Sequence, residues 1–327
     1  TVTDPNGLIS TTRLELDNSQ TITAPDGTVT VTTKVPDPRF GMQAALSNLN
    51  VTTPNGLIST LNARRSVILA DRNDPFSMTT MTDTLTLNGR AFTSVYDAAS
   101  LRFTDTTPEG RVTTSFVDLQ GRILKEQVSG LEDTDFFYDV RGRLTDVAQG
   151  AVGPAQRLST IAYDGNGFVA SVTDPLNRSV QFVYDLAGRV TKQVLPDLRE
   201  INFTYDNNGN VSSITPPGRP AHAFGYTAVD LESEYSPPDI GLIEHRTFFD
   251  YNVDRQLTTI TRPDGATVAF NYDSGGRVAN FTIPRGGTTF AYDALTGNVT
   301  TITAPDAGTQ SFTYDGSLLL STTWAGT

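Results

Sequence analysis

Tyr184-Asp185-Leu186-Ala187-Gly188-Arg189-Val190, then TKQVLPDLRE over 191–200, then Ile201-Asn202-Phe203-Thr204-Tyr205-Asp206, is the stretch whose reading decides the fold. One Tyr-Asp pair leads to the next in 21 residues, room for two short strands and two tight turns. In the second strand Ile201, Phe203 and Tyr205 fall on one face and Asn202, Thr204 and Asp206 on the other, the period-2 alternation of a half-buried strand. Asp185 can accept hydrogen bonds from N–H groups two or more residues on, and Gly188 suits a left-handed position in the loop that follows. Pro196-Asp197-Leu198 marks a second turn, so both connections read as antiparallel hairpins.

The unit repeats along the chain. Its tyrosines are Tyr96, Tyr138, Tyr163, Tyr184, Tyr205, Tyr226, Tyr251, Tyr272, Tyr292 and Tyr314, with Val117 standing in between the first two, and only Tyr235 of the 11 tyrosines lies off this ladder. Phenylalanine sits two before the tyrosine in most units, as at Phe182, Phe203 and Phe270, so stacked units place Phe beside Phe and Tyr beside Tyr. Cross-strand aromatic pairs contribute about 0.2–1 kcal/mol each, which accumulates along an array. The Asp-x-x-Gly signal recurs as Asp185/Gly188 and Asp206/Gly209, and Pro-Asp-Gly recurs at Pro25 and Pro263. Val169 to Val172 and Val211 to Ile214 are three apart, an odd spacing that predicts a bulge after the glycine turn.

The expected fold is all-β: antiparallel β-hairpin repeats of about 21 residues forming a spiralling, curved β-sheet. A propeller would need units that alternate in type, and a parallel β-helix would need corners in place of hairpin turns. Residues 96–327 read as the regular array, with an acidic loop at 228–247. Residues 1–95 read as degenerate units, in which DPNGLIST of 4–11 returns as TPNGLIST of 53–60. An irregular insertion around 36–50 reads as a loop or plug, and 40–46 is the one short helical window.

With 24 Lys and Arg against 36 Asp and Glu, the net charge of −12 disfavours a nucleic-acid partner. No cysteine is present, no cofactor or metal motif is legible, and no apolar run reaches the roughly 18 residues of a membrane span. The start, lacking Met, reads as a piece of a longer protein.

Repeated Tyr-Asp pairs read as architecture, because one active site does not need ten copies of its residues. The two histidines, His222 and His245, lie in or beside the least regular units and read as solvent-facing or locally hydrogen-bonded. Asp230, Glu232, Glu234, Asp239 and Glu244 gather carboxylates in one segment. They could hold calcium, but without the EF-hand glycine and spacing a solvated acidic loop is the plainer reading. Tyr235, off the ladder, is the expected point of partner contact.

Taken together, F-x-Y-D-x-x-G-R/N-V and P-D-G at this period resemble the YD-repeat (RHS-repeat) superfamily, strongly over about 96–318 and weakly over 1–95. The resemblance implies a non-catalytic shell that in bacterial Rhs and Tc toxins encapsulates a C-terminal toxic polypeptide. In teneurins it implies an extracellular shell that serves adhesion. The closing FTYDGSLLLSTTWAGT, up to residue 327, is similar to the teneurin-like branch. The partners implied are a tethered polypeptide cargo or an extracellular protein or glycan ligand, and the implied location is secreted or cell-surface, in a bacterium.

Overall fold

The computed structural model describes residues 1–239, 241 and 245–326. Among them are 29 strands, joined antiparallel, and no helix; no helix long and apolar enough to cross a membrane is therefore present there. Contacts divide the chain into two compact units. One comprises 1–158 with 293–298 and 313–321; the other comprises 159–292 with 299–312 and 322–327.

In the second unit the repeat is carried by pairs such as Ser179–Tyr184 with Val190–Val194, and Glu200–Tyr205 with Val211–Thr215. Each Tyr strand meets its successor with a shift of register at the tyrosine: Val183 faces Lys192, but Tyr184 faces Val190. The same irregularity follows Thr204, Asp250, Asn271 and Ala291, so the bulge expected from the odd valine spacing is present.

Ladder side chains in this unit are half-buried, whereas residues between them, such as Val183 and Thr204, are exposed. Cross-strand neighbours supply the cover: Phe203 faces Ile214, and the Phe281 ring lies 6.2 Å from Phe270 and 6.1 Å from Phe290. Among the described residues only two apolar side chains are fully buried, Val117 and Ala148, both in the first unit. Stability therefore comes from side chains touching along a face, with almost no interior.

The first unit contains longer strands, Val29–Asp37, Gly41–Thr52, Ile58–Leu69 and Met78–Leu87. Residues 36–50, expected as a loop or plug, instead form the end of a hairpin in which Val35 pairs with Leu46 and Asp37 with Gly41. In the helical window at 40–46, residues 41–46 are likewise strand and Phe40 is in the turn. Pairing with Val29–Asp37 draws residues 41–46 into the hairpin and overrides weak local propensity. The acidic segment is also not a loop throughout, since Glu232–Ser236 is a strand paired with His222–Tyr226 and Thr247–Tyr251.

Candidate functional site

The Tyr-Asp-x-x-Gly-Arg turn is a polar constellation that recurs along the described residues. Asp185 Oδ1 accepts the N–H of Ala187 at 2.9 Å and of Arg189 at 3.0 Å, while Oδ2 accepts Arg189 Nε at 2.8 Å. Asp118, Asp139 and Asp273 repeat all three bonds with their own turns. Asp206 keeps the two backbone bonds and takes Asn210 Nδ2 in place of a guanidinium. The backbone N–H and then the guanidinium of Arg189 hold the Asp185 carboxyl below the usual carboxylate range.

These turns are coupled to one another. The Tyr205 hydroxyl donates to the carbonyl of Val190 at 2.7 Å, reaching back 15 residues into the preceding unit. Tyr138, Tyr184, Tyr226 and Tyr272 do the same to Ile123, Val169, Val211 and Leu257, while Tyr292 reaches back to Val278 and Tyr251 to Glu232. Arg189 lies 4.4 Å over the Tyr205 ring, and Arg277 lies 4.2 Å over Tyr292. Burial pushes the Tyr292 phenol above its ordinary pKa.

Glycine in the turn serves two ends. Gly188 has φ +79°, and a Cβ there would lie 2.7 Å from Phe168, which stacks 4.9 Å from the Tyr184 ring. Gly142 is crowded in the same way by Arg122, and Gly276 by Gln256. In each case the residue that closes one turn fills the space beside the glycine of the next, a linkage that the sequence shows only as a fixed offset between units.

Gly209, which the sequence pairs with Gly188 as an equivalent position, corrects that equivalence. Its backbone is left-handed, with φ +98°, and its N–H closes the turn on the Asp206 carbonyl at 3.2 Å. A Cβ at Gly209 would meet only Arg189 Nη1, at 3.6 Å, an ordinary contact. The arginine that follows Gly188 is long enough to carry its head over the Tyr205 ring, whereas the Phe168 ring lies directly against Gly188. Backbone conformation alone therefore calls for glycine at Gly209, while conformation and space both call for it at Gly188.

Of the other expected site residues, Asp230 is in a turn, where its carboxylate accepts Asn208 and Asn210 side chains at 2.9 and 2.8 Å. Glu232, Glu234 and Tyr235 are in the strand Glu232–Ser236. Asp239 accepts the N–H of Gly241 at 2.7 Å, and Glu244 lies outside the described residues. No group of three or more metal-ligating side chains occurs among the described residues. Tyr235 faces Phe224 across the strands, with ring centroids 5.5 Å apart, and its hydroxyl bonds His222 Nδ1 at 2.7 Å. It therefore extends the ladder face rather than tipping a loop.

Two clusters in the first unit escape a search for repeats. Asp37 has no exposed side-chain surface; Oδ1 accepts the N–H of Arg39 and Phe40, Oδ2 accepts Arg65 Nη1 at 3.1 Å, and Arg65 also holds Asp83 at 2.6 Å. Burial opposes ionisation of Asp37, but the Arg39 N–H, the Arg65 guanidinium and the Phe40 N–H outweigh it and hold its pKa down. In the second cluster Asp315, 2% exposed, reaches a turn 262 residues away in sequence. Its Oδ2 accepts the Thr53 hydroxyl at 2.5 Å and its Oδ1 the N–H of Asn55 at 2.8 Å. A signal for it existed: TPNG at 53 lacks the aspartate that DPNG at 4 uses to cap itself.

Among solved structures, the chain is similar to TcdB2-TccC3-Cdc42, with 13% identity over 94% of this chain and 26% of that one, at a TM-score of 0.40. It is similar to TcdB2-TccC3 at 13% identity, 94% and 26% coverage and a TM-score of 0.41. For the Photorhabdus luminescens Tc holotoxin pore the values are 13%, 97%, 26% and 0.41. The chain spans about a quarter of the length of these structures. No curated protein matches it. The family described as Teneurin YD-shell matches residues 4–327, the whole length over which the Tyr-Asp turns and their degenerate precursors run, and the chain belongs to that family.

Proposed function

We propose that the chain is a non-catalytic stretch of shell wall that encloses or presents a tethered polypeptide, such as a C-terminal toxin, outside the cell. The observation that carries this reading is the half-covered ladder face. Phe203, Phe270 and their neighbours form a half-covered apolar surface, with Phe203 opposite Ile214 and Phe270 beside Phe281. A continuous half-wet apolar face supports contact with another chain. The polar constellations favour the same reading, because each is spent on holding a turn: the carboxylates of Asp118, Asp139, Asp185 and Asp273 are saturated by their own turns and arginines.

The test is to fuse a protease-sensitive polypeptide after residue 327 and follow its cleavage. Slower cleavage than for the free polypeptide, lost when Phe203 and Phe270 are replaced by Ser, supports the wall. Unchanged cleavage overturns it. A second reading, an extracellular module that binds protein or glycan, is favoured by the match to the teneurin branch. Binding of the intact chain to cell-surface glycans or proteins, without protection of the fused polypeptide, would support that reading instead.

A further inference from the structure

Three turns in this chain read Thr-Pro-x-Gly, at 53–56, 107–110 and 215–218. The first two are built alike. Thr53 N–H donates to Leu57 O at 2.9 Å and Thr107 N–H to Arg111 O at 3.0 Å; Gly56 and Gly110 N–H each close the turn at 2.9 Å. In both, the threonine hydroxyl oxygen accepts the N–H four residues on, Leu57 at 3.0 Å and Arg111 at 3.1 Å. This arrangement leaves two donors with no acceptor inside the turn, the threonine O–H and the N–H of the third residue. In Asp-headed turns such as Asp4–Leu8 the head aspartate accepts that N–H itself, and Thr227 accepts that of Val229 at 3.3 Å in a turn without proline; Thr53 and Thr107 do not.

At 53–57 both donors are taken by Asp315. The carboxylate is available because Asp315 is followed at once by Gly316, φ +59°, at a hairpin tip, so it has no Asp-x-x-Gly turn of its own to cap. The fit also needs glycine there, since a Cβ on Gly316 would collide with Thr28 Oγ1 and lie 2.9 Å from Pro54.

At 107–111 neither the Thr107 hydroxyl nor the Glu109 N–H has an acceptor among the described residues. Leu87, Asn88, Arg90 and Phe92 border the turn and form with it a notch of about 490 Å³. Arg90 and Glu109 neutralise each other, and Arg111 is exposed with no ion pair among the described residues, so Arg111 supplies the charge that favours an incoming carboxylate. The third turn has Pro217 where Asn55 and Glu109 stand and offers no N–H.

We propose that Thr107–Arg111 is a second carboxylate-docking turn, and that its ligand is the aspartate of an Asp-Gly hairpin tip from another YD-repeat segment, held as Asp315 is held by Thr53 and Asn55. A second copy of this chain is not the donor, because its own tip is already seated on its 53–57 turn. The site does not depend on what the wall encloses.

The test titrates the full ¹⁵N-labelled chain with a disulfide-closed hairpin peptide carrying the sequence of residues 309–325, and follows the Glu109 amide. A saturable shift at Glu109 is expected. Replacing the peptide's aspartate by asparagine weakens binding about tenfold or more, as expected for loss of charge-assisted hydrogen bonds. Thr107→Ala weakens binding about fivefold or more, and Thr107→Ser retains it. Acetate at the same concentration gives no shift. The proposal is overturned by an absent shift at Glu109, by a shift at Asn55 alone, or by equal shifts with the asparagine peptide or acetate. The peptide and acetate comparisons hold even if Thr107→Ala fails to fold.

Discussion

The regular repeats of 159–292 and the long strands of 29–97 hold their hairpin ends by similar chemistry, a carboxylate accepting from N–H and side-chain donors, but over different distances. In the repeats the aspartate caps its own turn and pairs with an arginine four residues on, as at Asp185 and Arg189. In the long strands distant groups take part: Asp37 caps its own turn but is also bound by Arg65, and the 53–57 turn is held by Asp315. A local cap can be copied into every unit and weakened in one without harm to the rest. A distant cap exists once, is buried, and links segments far apart in sequence.

The sharpest break of this comparison is Asp37→Ala. It removes the acceptor of two backbone N–H groups and one partner of a partly buried arginine, and should cost about 2–4 kcal/mol in urea unfolding. A loss equal to that of Asp185→Ala, whose pair with Arg189 is more exposed and worth little, would erase the distinction.

Gly188→Val tests the regular repeats at their least tolerant point. Left-handed strain and collision with Phe168 should together cost about 2–3 kcal/mol, against about 1 kcal/mol or less for Ser212→Val, which removes a half-buried hydroxyl bonded to Thr204 at 2.8 Å. Equal melting shifts for the two would mean that the turn relaxes freely.

Asp315→Ala should cost about 1.5–3 kcal/mol, the range for hydrogen bonds to a charged group. Hydrogen exchange should accelerate at Asn55 while the amide of Ala187, capped by Asp185, is unaffected. Faster exchange at both would show that the two kinds of cap are not independent.

Phe203→Ala measures how much cover the ladder face has. Truncation of a fully buried phenylalanine costs about 3–5 kcal/mol; with the ring half-buried, about 1–2 kcal/mol is expected. A full-sized loss would show that the face is packed more tightly than its exposure indicates.

The smallest effect is on acid stability. Backbone N–H groups and then guanidinium of Arg143 and Arg189 hold the Asp139 and Asp185 carboxyls below their usual range. A folded pKa below the unfolded value gives stability that is fully present above the ordinary carboxylate pKa of about 3.9. It is lost as pH falls through the folded pKa. The urea midpoint should therefore drop as pH falls below about 4, and less steeply for a variant carrying Asp139→Asn and Asp185→Asn. An unchanged slope would show that these carboxylates do not drive acid unfolding.

Repetition made the all-β architecture, the hairpin turns and the bulge after each glycine legible in the sequence. Phe182, Phe203, Asp185 and Gly188 recur at fixed offsets because each does its work within its own unit or the one beside it. The tertiary structure alone decided that Gly209 has the room that Gly188 lacks, that 36–50 completes a hairpin, that Tyr235 joins the ladder face, and that Asp37 and Asp315 are the buried carboxylates. The last of these depend on residues 28 and 262 positions apart, Arg65 for Asp37 and Thr53 for Asp315. A contact made once between distant segments leaves no period behind, so only the folded chain, by placing the two ends within hydrogen-bond reach, makes it visible.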